Sequence, residues 1–330
     1  PIVPSRFGWT SVFAEEILEL ARADERIVAV TAAMQQPVGL QPMADALPDR
    51  VIDVGIAEQH ALTASAGMAF AGLHPVVALY ATFLNRAFDQ VLMDVGLHHA
   101  GVTIVLDRAG LTGTDGASHN GMWDMALLSH VPGLRLAAPR DETTLREDLR
   151  TAAATSDGPT VLRYPKGALP ERAPALRVMG PPNDPFEAVD VLMEADDDGP
   201  GERRLLLVAV GAMTPAVLAA GRDLADEGRA VAVVAPRWVV PIPRALVETA
   251  RSFDGVVVVE DGLVDGGIGS QLRDALEDNA AETGRRCPVV ARVGVPRRFL
   301  GTASRKQLLA DFGMDTEGIA ATARRLLSAV

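Results

Sequence analysis

VIDVGIAEQHALTASAGMAFAGLHPVVALY, residues 51–80, contains one complete turn of the chain's repeating pattern. Val51 to Val54 reads as a short strand, Gly55 as a turn, Glu58 to Ala71 as a helix of small and apolar residues, and Pro75 to Tyr80 as a second strand. A strand, a crossover helix and another strand make a parallel pair. The pattern extends in both directions. Upstream, Val12, Phe13, Ile17, Leu18 and Leu20 fall at helical spacing within Trp9 to Ala23, ahead of a strand at Arg26 to Thr31. Downstream come a helix over Asn85 to His98, a strand over Val102 to Asp107, a Gly-rich loop over Ala109 to Gly121 and a helical turn over Met122 to Ser129. A strand at Leu134 to Ala137, a helix at Glu142 to Ala154 and a strand at Thr160 to Tyr164 close the series. Strands separated by helices predict an α/β fold with a doubly wound, mainly parallel sheet.

Residues 165–186 carry several prolines and little periodicity, as a linker laid over the surface would. A second α/β pattern follows. The acidic turn Asp196 to Gly201 sits between two short strands. Next come a strand at Leu205 to Val210, a helix at Thr214 to Glu227, a strand at Ala230 to Val234, a helix at Arg244 to Ser252 and a strand at Val256 to Val259. Helices near Ser304 to Phe312 and Gly318 to Leu327 end it. The expected division is one doubly wound domain over 1–167, a linker over 168–185 and a second over 186–330.

The chain has 330 residues, 48% of them hydrophobic but only 4% aromatic, so its cores are built from Ala, Val, Leu and Ile. Acidic residues outnumber basic ones 43 to 31 with no basic stripe, which argues against a nucleic-acid partner. An anionic substrate therefore needs a local cluster of Arg or Lys. Cys287 is the only cysteine, which excludes an internal disulfide and a cysteine-built metal site. Pro1 to Arg6 lack the pattern of a signal peptide, and no apolar run approaches the ~18 residues that span a bilayer. The expectation is a cytoplasmic protein without a membrane partner.

Open parallel sheets present ligands beyond the C-terminal ends of their strands. Three segments place polar groups there. In Asp53 to His60, Glu58 enters the first turn of a helix; it either complements the helix dipole, worth ~0.3–1 kcal/mol, or serves a site. In Tyr80 to Gln90, Phe83 and Arg86 lie about one turn apart, as core and solvated charge or as a ligand-facing pair. The loop in Asp107 to Gly121 is long and Gly-rich, and such loops commonly serve a site. His119 on it has an imidazole suited to proton transfer near neutral pH. Arg163, in Arg163 to Gly167, adds a guanidinium at a strand end. With Arg86 and Arg108 it would complete a positive cluster for an anionic substrate.

The segments DVGIAEQH (53–60), YATFLNRAFDQ (80–90), DRAGLTGTDGASHNG (107–121) and RYPKG (163–167) resemble successive blocks of the 1-deoxy-D-xylulose-5-phosphate synthase family, transketolase-like thiamine-diphosphate enzymes. PRWVVP (236–241), VEDG (259–262) and GGIGS (266–270) agree with that resemblance. It implies a pyrimidine-binding domain followed by a transketolase C-terminal domain. It implies that Glu58 is catalytic and hydrogen-bonds the aminopyrimidine ring of thiamine diphosphate, with Phe83 stacked on that ring and Ile56 and Met34 beside it. Tyr80, Arg86, Arg108, Asp115, His119 and Arg163 would bind the substrates, pyruvate and a phosphorylated aldose, with His119 also catalytic. The reaction implied is condensation of pyruvate with glyceraldehyde 3-phosphate and loss of carbon dioxide.

Members of that family bind magnesium and the cofactor diphosphate through a Gly-Asp-Gly segment and a downstream Asn of an N-terminal half, a combination not found in this sequence. The expectation is a chain that is silent until a diphosphate-binding half or subunit joins it, as a homodimer or heterotetramer. Two other readings stay open: a split transketolase-like subunit that moves two-carbon units between other sugar phosphates, and a non-catalytic assembly module. Gly266 to Gly269 opens a helix after a strand, which suits either a dinucleotide site or a tight turn.

Overall fold

A computed structural model describes residues 8–195, 203–284 and 287–329. The acidic turn expected at 196–201 lies outside them. The strands are β1 (Ile27–Thr31), β2 (Val51–Asp53), β3 (His74–Tyr80), β4 (Thr103–Asp107), β5 (Arg135–Ala137), β6 (Thr160–Arg163), β7 (Arg177–Met179), β8 (Val189–Met193), β9 (Arg204–Ala209), β10 (Ala230–Pro236), β11 (Trp238–Val240), β12 (Gly255–Leu263) and β13 (Val289–Val295). They form two sheets, ordered β11-β5-β6-β4-β3-β1-β2 and β13-β12-β9-β10-β8-β7. In the first, β1 to β6 pair in parallel. In the second, β9, β10, β12 and β13 pair in parallel, with β8 and β7 antiparallel at one side. This is the α/β architecture with mainly parallel sheets that the alternating pattern predicts. Strands β1, β3, β4 and β6 are buried along their whole length, because helices cover both faces of the sheet.

Side-chain alternation divides the core of the second sheet. Leu206, Val208, Val256 and Val258 face a core continuous with that of the first sheet. Leu205, Leu207, Val257 and Val259 face a second core closed by the helices Thr214–Asp226 and Thr316–Ala329. Among the described residues no helix is long and apolar enough to cross a membrane.

Three elements differ from the sequence-based expectation. The single helix expected over Asn85 to His98 begins earlier and changes pitch three times: α over Ala81–Leu84, 3-10 over Asn85–Ala87, α over Phe88–Gln90 and π over Val91–Gly96. The apolar spacing of these helix types is too similar for periodicity to separate them. The stretch expected to be a linker contributes β7, an edge strand antiparallel to β8. At three largely exposed residues it is too short to carry a periodic signature. Finally, β11 comes from the second half of the chain yet pairs with β5 in the first sheet, Trp238 opposite Ala137 and Val240 opposite Leu136. Trp238 is fully buried with Phe186 edge-on at 4.8 Å, and Arg237 beside it bonds Asp148 of the helix Glu142–Ala153. The two halves therefore share one sheet.

The Gly266–Gly269 segment is a tight turn. A Cβ on Gly267 would stand 2.1 Å from the Leu263 carbonyl oxygen and 2.4 Å from Glu260 Oε2. The buried Glu260 accepts from the N–H groups of Ile268 and Gly269, both at 2.8 Å, at the start of the helix Ile268–Thr283. The donors that a dinucleotide pyrophosphate would need are already in use. Burial pushes the Glu260 carboxyl from 4.5 up to about 7, against the lowering effect of those two N–H donors. Between these values the folded chain holds a proton that the unfolded chain has released, so this group's contribution to stability falls as pH rises through that window. Denaturant titrations on either side of the window should show wild type losing more stability with rising pH than Glu260→Gln. Equal pH slopes would count against a raised carboxyl.

Candidate active site

Four strand ends build the site. After β1 the chain turns and buries Met34, and the Asp53 carboxylate at the end of β2 accepts from the N–H groups of Ala33 (2.7 Å) and Gly55 (2.9 Å), tying the two turns together. The turn at Gly55 leaves Ile56 77% exposed and delivers Glu58 as the first residue of the helix Glu58–Phe70. Glu58 is only 2% exposed. Its Oε2 is buried and has no hydrogen-bond partner among the described residues. The nearest cation, Arg86 Nη1 at 3.8 Å, is within ion-pair range but too far for a hydrogen bond. A buried carboxylate oxygen left without a donor costs ~1–3 kcal/mol, so this atom is a vacant acceptor in the wall of the site.

Past β3, the Tyr80 and Phe83 rings stack at 6.0 Å and 19°, and His119 meets Phe83 edge-on at 5.7 Å. Past β4, the Arg108 guanidinium lies over the Tyr80 ring, 4.2 Å from its centre, and pairs with Asp115 at 3.0 Å. Arg108 holds a left-handed φ of 58°, uncommon for a residue with a side chain and frequent at functional sites. Thr82 Oγ1 donates to the Ser118 carbonyl, which fixes the Gly-rich loop beside Phe83. Ser118 Oγ and His119 Nδ1 are 2.9 Å apart. Tyr80, Phe83, Arg108, Asp115 and His119 thus form one connected group, with Arg86 about one turn along from Phe83 and beside Glu58.

Arg163 does not join that group, contrary to expectation. It is 2% exposed, with Nε donating to Asp124 at 2.6 Å and Nη1 to Asp261 at 2.8 Å. As the last residue of β6 its direction is set by strand alternation, and it points under the loop toward the second domain. Lys166, three residues further on, takes the place expected of it: Nζ bonds Asp115 at 2.6 Å while the side chain stays partly exposed. Burial alone would raise Asp115, but Lys166 and Arg108 outweigh it and hold the carboxyl below its ordinary range. Sequence reasoning passed over Lys166. The signal available was its position beyond the strand end, where open sheets present ligands, whereas Arg163 is within the strand. Among the described residues no group of three or more His, Cys, Asp or Glu is placed to hold a metal ion.

Comparison with known proteins identifies the family and the fold. Residues 5–172 match the family model for the transketolase pyrimidine-binding domain, and residues 195–319 that for the transketolase C-terminal domain. A 1-deoxy-D-xylulose-5-phosphate synthase of Leifsonia xyli subsp. xyli is 51% identical over 96% of this chain and 46% of its own length. For 1-deoxy-D-xylulose-5-phosphate synthase 1 of Kitasatospora griseola the values are 53%, 99% and 49%. The chain thus spans about half the length of the relatives it matches. Among solved structures, a split gene transketolase in an inactive beta4 tetramer superposes with a TM-score of 0.81 at 27% identity, over 98% of both chains. A transketolase from Leishmania mexicana shares the fold at 20% identity and a TM-score of 0.79, over 100% of this chain and 47% of its own.

Proposed function

The chain belongs to the transketolase family, and from that premise we propose that it is the pyrimidine-side portion of a thiamine-diphosphate enzyme of the 1-deoxy-D-xylulose-5-phosphate synthase type. The reaction is condensation of pyruvate with glyceraldehyde 3-phosphate and release of carbon dioxide. The observation that carries this reading is the buried Oε2 of Glu58, which accepts no hydrogen bond from the described residues. A carboxylate kept dry and without a donor suits a protonated ring nitrogen of a bound aminopyrimidine, whose N–H it would accept.

When bound, the cofactor supplies the electron sink for decarboxylation and carbon–carbon bond formation. The chain's own residues bind, orient and move protons. Glu58 receives the pyrimidine's hydrogen bond, Phe83 offers it a flat face, and Met34 and Ile56 give apolar contact. Arg86, Arg108 and Lys166 are the cations available to carboxylate and phosphate groups. Asp115 spaces Arg108 and Lys166, Tyr80 supports the Arg108 guanidinium, and His119 carries protons to and from substrate hydroxyls. The cofactor's diphosphate and magnesium belong in this reading to a diphosphate-binding domain of the same or another chain. The assembly is then a homodimer or a heterotetramer, with the domain boundary of this chain between 168 and 185, in the cytoplasm.

The test supplies this chain with a diphosphate-binding half, thiamine diphosphate, magnesium, pyruvate and glyceraldehyde 3-phosphate. Carbon dioxide release coupled to 1-deoxyxylulose 5-phosphate is the expected result. Two-carbon transfer between other sugar phosphates with no use of pyruvate would replace the proposal by a split transketolase. Absence of both activities in a folded assembly would leave an assembly module. In the active enzyme, Arg108→Ala should lower kcat/KM for glyceraldehyde 3-phosphate by ~2–4 kcal/mol of lost charge-assisted contact. An unphosphorylated aldehyde should lose far less; an equal loss for both acceptors would remove Arg108 from phosphate binding.

A further inference from the structure

The loop that carries Asp115 and His119 hangs from the second domain at both ends. Leu111 and Met122, which flank it, are fully buried in that domain's core with Leu207 and Val259 rather than in the core of their own sheet. Each is preceded by a glycine, and these two, Gly110 and Gly121, close the loop by exchanging two backbone hydrogen bonds at 3.0 and 2.8 Å. Residues Thr114, Ala117 and Ser118 are exposed, so apolar burial does not hold the tip.

Polar contacts do so instead. Arg305 of the second domain donates through Nη1 to the Leu111 carbonyl and through Nη2 to Asp261, both at 2.6 Å. Asp261 is 0% exposed and also receives Arg163. From Leu111 the bracing continues within the loop. Thr112 N–H donates at 2.9 Å to Oδ1 of the buried Asn120, Asn120 Nδ2 donates to the Gly116 carbonyl, and Asn120 is covalently next to His119. On the other side, Gly113 has φ 79° and lies so close to the second domain that a Cβ would be 2.7 Å from the Arg305 backbone nitrogen.

We propose that Asp261 and Arg305 are positioning residues contributed by the second domain, which set the His119 loop through the Leu111 carbonyl and the Thr112–Asn120 brace. The proposal rests on the reading of His119 and Asp115 as substrate-facing groups. It gives the second domain a task in the chemistry, since a guanidinium from outside the pyrimidine-binding domain holds the base of the loop, while Thr82 on the Ser118 carbonyl and Arg108 and Lys166 on Asp115 hold its tip from the first. Energetic coupling of this kind travels through contiguous packed and hydrogen-bonded groups, and every link is present between Asp261 and His119.

The experiment uses the purified chain and reads positioning without turnover. In Arg305→Met, hydrogen exchange over residues 109–121 should accelerate at least tenfold while β12 keeps its protection. The imidazole resonance of His119 should move in chemical shift, with those of the other five of the six histidines unmoved. Arg305→Lys, which keeps the charge, should recover part of both effects. Should Arg305→Met fail to fold, Gly113→Ala disturbs the same contact from the loop side and should give the same loop-limited acceleration. Unchanged loop exchange and an unshifted His119 would overturn the proposal. So would acceleration spread evenly over both domains, which marks a general structural role. In the reconstituted enzyme, Arg305→Met should lose at least tenfold in kcat/KM with a displaced pH profile. A wild-type assembly that does not turn over pyruvate would sink the functional reading alone, because hydrogen exchange and the His119 chemical shift do not depend on it.

Discussion

Glu58→Gln and Glu58→Ala are expected to abolish turnover in the assembled enzyme while leaving the fold intact. The two effects separate because of where the side chain sits. As the first residue of its helix, Glu58 gains ~0.3–1 kcal/mol from the helix dipole. Against this stands the cost of a buried Oε2 without a hydrogen bond, ~1–3 kcal/mol. Removing the carboxylate should therefore change stability by ~1 kcal/mol or less, or raise it. Catalysis has no such compensation, because the described residues offer no second carboxylate at that position. Proton-transfer assistance alone is worth ~10²–10⁴-fold, and a lost pyrimidine contact adds to it. Steady-state turnover, calorimetric titration with thiamine diphosphate and thermal denaturation of each variant together make the check. Unchanged turnover would count decisively against the proposed function, and a large fall in stability would return Glu58 to a structural role.

Arg163→Met is expected to be the most destabilising single change at the domain junction, by ~3–5 kcal/mol. The guanidinium bridges Asp124 of the first domain and Asp261 of the second, and all three side chains are buried. Burial on its own would push Asp261 up, but Arg163 and Arg305 outweigh it and hold that carboxyl below its ordinary range. Without Arg163, Asp124 keeps no cation among its described ion-pair partners, while Asp261 retains Arg305. Asp124→Asn added to Arg163→Met should therefore recover part of the loss. Urea denaturation of the single and double variants measures it. Full stability of Arg163→Met, joined to a raised KM for the phosphorylated acceptor, would restore Arg163 to the substrate-binding role that its strand-end position first suggests.

These two residues mark the limits of reading a site from sequence. The placement of Glu58 was legible because everything that sets it is local: a strand, a turn at Gly55 and the first turn of a helix fall within a few residues. The same holds for His119, whose loop announces itself by length and glycine content. Arg163 and Lys166 belong to the same five-residue motif, RYPKG, and composition does not separate them. What separates them is the direction of a side chain inside a strand compared with one past its end, and the presence of Asp261 from nearly a hundred residues away.

The sequence by itself determined the alternation of strand and helix, the parallel character of both sheets and the strand ends at which polar groups collect, because hydrophobic periodicity and turn residues act over a few positions of chain. Only the tertiary structure decided that β11 completes the first sheet, that the helix after Tyr80 changes pitch, that β7 forms an edge strand and that the His119 loop is held by Arg305. Each of those depends on pairing or packing between segments far apart in the chain, whose free energy exists only once both surfaces are brought together.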